Sequence, residues 1–290
     1  MGTIIATINL KGGVAKTTTT VGLAEILSEA YNKKVLVIDL DPQTNATTML
    51  IGEDKWKQLN NNEFTIARIF KDALSDDTNV RSVDINDLLQ RNVSNVADVR
   101  SVDLLASSLD LIDVQDKLSF ISCGKFYSKN PTDILKKAVK PILDNYDYVL
   151  IDCPPNLGII TLNGLKIADG YIIPTIPDVL STYGIPQIIK RVKEFSEDIG
   201  EEIEPLGIVV TKYRAASSLH NRTLNALKKG KDAQVFRTIF PENTKMAEAA
   251  EYINVNTLRQ KWGYEGQYNK FYELAGDIIA RTSRWMQKKS

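Results

Sequence analysis

At 290 residues the chain is long enough for one large α/β domain or about two smaller ones, and its 43% hydrophobic and 25% charged residues are ordinary for a globular protein. No apolar run approaches the roughly 18 residues that span a bilayer, and the start lacks the basic-then-apolar pattern of a secretory signal, so the cytoplasm is the expected compartment. The 36 basic residues balance 36 acidic ones, Cys123 and Cys153 have no metal-ligand spacing, and the lone His220 argues against a histidine triad or a zinc cluster.

The chain opens on a strand, TIIATIN (Thr3 to Asn9), followed by the loop LKGGVAKTT (residues 10–18). A helix is expected from about Lys16 to Ala30, with Val21, Ala24 and Leu27 on one side. Asn32, a residue that tolerates the left-handed conformation, ends it. Strand VLVIDL (Val35 to Leu40) closes a β-loop-α-β unit. Further strands are expected at Val102 to Ala106, Tyr148 to Asp152, Tyr171 to Thr175, Gly207 to Thr211 and Val235 to Phe240. Several are apolar throughout, as in parallel strands covered on both faces. The spacing predicts a doubly wound, mostly parallel α/β sheet flanked by helices, in one domain over 1–290.

Residues from about 55 to 137 read as less regular surface helices and loops. Between Asp72 and Asp116 ten aspartates face three arginines, a net charge of about −7. The opposite bias follows later. From Pro205 to Lys231 there are six basic residues and no acid: Lys212, Arg214, Arg222, Lys228, Lys229 and Lys231. The last ten residues add Arg281, Arg284, Lys288 and Lys289. Local patches, not net charge, decide polyanion binding, so these are the candidate surfaces for a polyanion partner. Near the end Phe271, Leu274, Ala275, Ile278, Ile279, Thr282, Trp285 and Met286 fall at helical spacing. A helix packed on the sheet is the expected reading, an in-plane membrane helix the alternative.

The loop after the first strand carries the chemistry. A general phosphate-binding loop, G-x-x-x-x-G-K-[ST], would put glycines where Leu10 and Ala15 stand. What the chemistry needs is inward backbone N–H groups, a helix N-terminus and a lysine. Gly12 and Gly13 free the backbone of Cβ constraints. Lys16 supplies the ammonium and Thr17 a hydroxyl for Mg²⁺. Ala15 is tolerable if its φ is negative. Lys11 is surplus to a general loop.

KGGVAKTT (Lys11 to Thr18) resembles the deviant Walker A box of the ParA/MinD superfamily. VLVIDLDPQTNAT (Val35 to Thr47) resembles the second box and switch of ParA proteins. YDYVLIDCPPNLGIITLNGLKIAD (Tyr146 to Asp169) resembles their Walker B strand and second switch. GIVVTKY (Gly207 to Tyr213) and IFPENTKMAEAAE (Ile239 to Glu251) resemble the late strand and the adenine-side loop. The likeness covers most of the chain outside about 55–137, where only SSLDLIDVQ stands out.

The resemblance implies a P-loop NTPase fold and an ATPase that uses ATP and Mg²⁺. It implies that Lys16 and the N–H groups of Gly12, Gly13, Val14, Ala15, Lys16, Thr17 and Thr18 hold the phosphates, with Pro241 and Asn243 beside the adenine. Thr17, Asp39 and Asp152 are the implied metal-shell residues, Asp152 through water and Asp39 as a brace. Asp41 positions the attacking water. Lys11 reaches the phosphates of a second subunit in an ATP-sandwich homodimer, so that hydrolysis is slow without dimerisation. Cys153 is read as a small buried residue.

The implied partners are non-specific nucleoid DNA and a ParB-type or cargo-adaptor protein that stimulates hydrolysis. The cargo is a plasmid, a chromosome origin or a microcompartment such as the carboxysome, as in the McdA-like branch. The box begins at residue 3, so no preceding helix-turn-helix is expected. A MinD-like membrane-cycling ATPase and a metabolic P-loop enzyme are the alternatives.

Overall fold

The computed structural model describes residues 2–75, 83–121, 130–264 and 266–289. In chain order the elements are β1 (Thr3–Thr7), α1 (Lys16–Glu29), β2 (Val35–Asp39), α2 (Asn45–Ile51), α3 (Glu53–Asn61), α4 (Ala67–Leu74), α5 (Ile85–Leu88), β3 (Leu89–Gln90), β4 (Val102–Leu105) and α6 (Leu111–Ile121). They continue with α7 (Ile134–Leu143), β5 (Tyr148–Asp152), α8 (Ile159–Ile167), β6 (Gly170–Thr175), α9 (Val179–Ile199), β7 (Glu204–Tyr213), α10 (Ser218–Lys229), β8 (Val235–Pro241), α11 (Thr244–Glu248), α12 (Leu258–Trp262) and α13 (Gln267–Lys289). One sheet of eight strands runs in the order β3-β4-β2-β5-β1-β6-β7-β8. All pairings are parallel except β3 with β4.

Period-2 alternation explains why the strands read as unbroken apolar runs. Leu36 and Ile38 point to one face and Val35 and Val37 to the other; Ile4 and Ala6 oppose Ile5 in the same way. Each set is buried, because helices cover both faces. One face takes apolar residues of α4, α7, α8, α9 and α10, and the other those of α1, α2, α12 and α13. Winding changes direction at β1, which lies between β5 and β6, and the mouth of a crevice forms at its carboxyl end.

All seven expected strands form, with ends shifted by a few residues. The additional strand, β3, is too short to leave a periodic signal. Asn32 does take a left-handed φ of 52°, and Lys33 N–H reaches back to the Leu27 carbonyl at 2.9 Å. The segment around 55–137 contributes more than surface, since Ile66, Phe70 and Leu88 are buried in the main core. Residues 76–82 and 122–129, with Cys123, lie outside the described residues.

Helix α13 follows the packed reading. Phe271, Leu274, Ala275 and Ile278 are fully buried against α1 and β8, which leaves that stripe no apolar face for a lipid surface. Gly22 permits the close approach, because a Cβ there would run into the Phe271 ring. The side chains of Met286, Lys288 and Lys289 lie outside the described residues. Among the described residues no helix is long and apolar enough to cross a membrane. A buried polar knot ties α1 to α12: the Glu25 carboxylate accepts from Lys261 Nζ at 2.7 Å, Trp262 Nε1 at 2.8 Å and Ser94 Oγ at 2.8 Å.

Candidate functional site: a phosphate loop and its carboxylates

Strand β1 delivers the chain to the loop, and Asn9 anchors the exit. Its amide donates to the Pro174 carbonyl at 2.8 Å while its oxygen accepts from Lys11 N–H at 2.9 Å. Positive φ at Gly13 (72°) and Ala15 (64°) bracket Val14. This left-right alternation makes a nest of converging N–H groups just ahead of the α1 N-terminus. A negative φ, the condition under which Ala15 would cost little, is not what the loop adopts. The turn needs the left-handed conformation there whichever residue occupies it, and the methyl group carries strain of about 1–2 kcal/mol. Ala15→Gly is expected to raise the unfolding free energy by about 0.5–1 kcal/mol in urea melts, after the greater unfolded-state entropy of glycine is subtracted.

Gly12, Gly13, Ala15, Lys16, Thr17 and Thr18 line a cavity of about 700 Å³ that also takes in Asp41, Pro241 and Asn243. Val14 is buried behind the loop, and Lys11 points away. The Lys11 ammonium bonds the carboxylate of Asp178, the N-cap of α9. Partial burial works to raise the Asp178 carboxyl, but Lys11 and Ser181 outweigh it and hold it below the usual carboxylate range.

Three carboxylates gather behind the loop. Asp39 and Asp152 end neighbouring strands as paired residues, both fully buried. Thr17 Oγ1 donates to Asp152 Oδ2 at 2.7 Å. Asp39 Oδ2 accepts from Thr47 N–H at 2.9 Å and from its hydroxyl at 2.7 Å, and Asp39 Oδ1 accepts from Asp41 N–H at 3.1 Å. Asp39 thus braces the turn that carries Asp41 and does not reach the cavity wall. Burial, then the charge of Asp152, pushes the Asp39 carboxyl well up. Burial and Asp41 push Asp152 up to about 7, against the bonds from Thr17 and Thr20 and the charge of Lys16. Burial pulls the Lys16 ammonium down, opposed by Asp152 and Asp41.

Lys16 faces Asp152 and Asp41, one ammonium against two carboxyl groups, which leaves a deficit of positive charge that a divalent cation would fill. The donor set fits Mg²⁺ held through the Thr17 hydroxyl, phosphate oxygens and water. Among the described residues no group of three or more His, Cys, Asp or Glu side chains could hold a metal by themselves, and Mg²⁺ bound in that way needs none.

The cavity also has an apolar lining, from Met49, Phe240, Met246, Ala247, Ala250 and Phe271. It is suited to a flat heterocycle. Asn243 caps α11, accepting from Lys245 N–H at 2.7 Å, so its position is fixed. Phe240, Met246, Ala247 and Ala250 fall within the stretch Ile239 to Glu251 that resembles an adenine-side loop, whereas Thr47, Met49, Asp178 and Thr211 were given no role from the sequence.

The basic residues separate into two groups. Arg222, Lys228, Lys229, Lys231 and Arg284 are exposed. Gln234, just ahead of β8, shares a small cavity with Arg284 of α13 and with Glu204 at the start of β7. Arg237 on β8 is exposed as well, and its charge reaches Arg281. Arg281 itself lies 3.9 Å over the Phe236 ring and bonds the Leu206 carbonyl, so packing claims it. Arg214 pairs with Glu242, one contact at 2.9 Å, and Lys212 Nζ donates to the Gly13 carbonyl at 2.8 Å. These three are drawn away from an open basic face.

A helix-covered parallel sheet with a nest, a buried lysine and a second lysine in the same loop defines a P-loop nucleotide-binding protein with a deviant box. A family model described as an AAA domain matches residues 2–205. The chromosome-partitioning ATPase Soj of Treponema pallidum is 30% identical over 97% of this chain and 98% of its own. Apo McdA of Cyanothece superposes with a TM-score of 0.76 at 22% identity, covering 96% of this chain and 100% of that one. Cobyrinic acid a,c-diamide synthase of Mycobacterium smegmatis, solved with ADP and magnesium, has a TM-score of 0.74 at 22% identity, with 98% and 96% covered. The chain belongs to the ParA/MinD superfamily of AAA-domain P-loop ATPases, alongside the Soj and ParA proteins.

Proposed function

We propose that this protein is an ATP-dependent, dimerising positioning ATPase that rides non-sequence-specific DNA and distributes intracellular cargo, its slow hydrolysis stimulated by a partner protein. The carrying observation is Lys11: it stands in the phosphate loop, yet its ammonium is turned out of the subunit's own cavity. A lysine there has no use for the phosphates of its own chain and, on leaving Asp178, would serve those of a second copy. Leu10, Val179, Leu180 and Tyr183, exposed on the segments carrying Lys11 and Asp178, support the same reading, since dimerisation would cover them.

Within one subunit Lys16 and the nest N–H groups bind the β- and γ-phosphate oxygens of ATP, and Thr17 offers its hydroxyl to the metal shell that Asp152 and Asp39 back. Mg²⁺, when bound, would be held through the Thr17 hydroxyl with Asp152 and Asp39 behind it, and would supply positive charge against that which develops on the phosphates. Asp41 orients the attacking water, and Lys11 of the second copy adds the charge that an arginine finger adds elsewhere. Hydrolysis removes the γ-phosphate both copies share, so the dimer loosens and the ATP state works as a timer. The whole chain acts as one unit in this reading.

Names of relatives support the cargo class: Soj of Treponema pallidum is a chromosome-partitioning ATPase, and a structurally similar Borrelia burgdorferi protein is a plasmid partition protein. For DNA the reading uses Arg222, Lys228, Lys229, Lys231 and Arg284, joined by Arg237. Binding of random-sequence duplex DNA, compared with ATP and with ADP across a salt series, tests it. Binding with ATP alone is expected, and log affinity should fall linearly with log salt at a slope of several units. Equal binding in both states, or none in either, contradicts the DNA track; vesicle binding with ATP would then favour membrane cycling.

A further inference from the structure

We propose that Lys212 is a nucleotide-positioning residue: with Thr211 it clamps the outer carbonyls of the phosphate loop and so holds the nest in its binding shape. The inference rests on the nucleotide-site reading above and assigns that site a residue from the opposite side of the crevice.

A nest that turns its N–H groups toward a ligand turns carbonyls away from it, and those carbonyls need donors. Two adjacent residues at the end of β7 supply them. Thr211 Oγ1 donates to the Val14 carbonyl at 3.0 Å, and Lys212 Nζ donates to the Gly13 carbonyl at 2.8 Å. In a regular strand neighbouring side chains point to opposite faces, so residues 211 and 212 could not both reach one loop. The chain resolves this at Lys212, whose φ is 48°, left-handed backbone that a lysine rarely adopts. Such a conformation persists where the surroundings hold it and clusters at functional sites. Here it swings the lysine back over Gly13, whose own φ is 72°.

Three further observations agree. Lys212 and Thr211 both line the cavity that holds Lys16, Thr17, Pro241 and Asn243. The charge of Lys212 reaches Glu242, which pairs with Arg214, so the rim of the cavity is a linked set of charges. Among the described residues Lys212 forms no ion pair within 4.0 Å that would explain its placement by charge alone. Its ammonium-to-carbonyl bond is of the charge-assisted kind, about twice as strong as a neutral one. Its effect on the ligand is indirect: the loop is already shaped when nucleotide arrives, and binding does not have to order it.

The test compares wild type with Lys212→Ala and Lys212→Arg, using Lys16→Ala as the reference for a lost phosphate contact. Fluorescent ADP and ATP analogues with Mg²⁺ report affinity, steady-state hydrolysis separates KM from kcat, and a melt without nucleotide reports the fold. Lys212→Ala is expected to weaken both analogues about tenfold and to raise KM similarly, with kcat at saturation and DNA affinity at saturating ATP unchanged. Lys212→Arg, which keeps a charged donor of similar reach, should restore most of the loss. Unchanged nucleotide affinity in Lys212→Ala overturns the proposal, as does a loss matched by an equally large drop in the melting temperature without nucleotide. A fall in DNA affinity at saturating ATP with normal nucleotide binding overturns it in favour of a DNA contact. Wild-type protein that binds neither analogue overturns the nucleotide-site reading itself, a result distinct from a failure at Lys212.

Discussion

Asp41→Ala is expected to bind ATP with near wild-type affinity and to hydrolyse it at least about 100-fold more slowly. Asp41 is the only one of the three gathered carboxylates that lines the cavity. Its Oδ1 accepts from Gln43 N–H at 3.0 Å, and its carbonyl accepts from Ser107 Oγ at 2.7 Å, so the loop presents it in one orientation. Removing it leaves the phosphate nest, Lys16 and Thr17 untouched, and ATP binding should survive. The water, however, loses its acceptor. Phosphate release alongside an equilibrium nucleotide titration checks the split, and the variant should also accumulate as an ATP-bound dimer. A variant that loses nucleotide affinity as steeply as hydrolysis would make Asp41 part of the binding scaffold instead.

Lys11→Ala is expected to keep nucleotide and lose ATP-dependent dimerisation, with partner-stimulated hydrolysis down by about 10³-fold, the lower end of what an arginine finger contributes in trans. The physical reason is the direction of the side chain. Lys16 is buried beside Asp152 and Asp41 and serves its own cavity, whereas Lys11 is bound to Asp178 at the start of α9. To act on a second copy, Lys11 has to exchange that carboxylate for phosphate oxygens. Light scattering of the variant with ATP and Mg²⁺ reads the outcome, and a normal dimer would sink the role assigned to Lys11.

The sheet was readable because both its faces are covered: a run such as Val35 to Asp39 is apolar at every position but the last, and that last position braces the turn that carries Asp41. The nucleotide side of the site was readable for a related reason, since Lys16, Thr17, Asp41 and the glycines lie close together in short loops at strand ends. The left-handed φ at Ala15 was not legible, because the turn sets it and it leaves no mark on composition. The basic character of Lys212 and Arg281 was legible and their partners were not. The partner of Lys212 lies 199 residues away and that of Arg281 75 residues away, and no local spacing reports such contacts. Asp178, 167 residues from Lys11, was missed in the same way.

Whether a second copy completes the site decides the role of Lys11. The molar mass of the wild-type protein in solution, measured with ATP and Mg²⁺, with ADP and Mg²⁺, and without nucleotide, tests that most directly. A doubling of mass with ATP alone is the result predicted by the outward-turned Lys11 and the exposed apolar residues beside it. A monomer with saturating ATP, or a dimer indifferent to nucleotide, would contradict the account and leave Lys11 a surface residue held by Asp178.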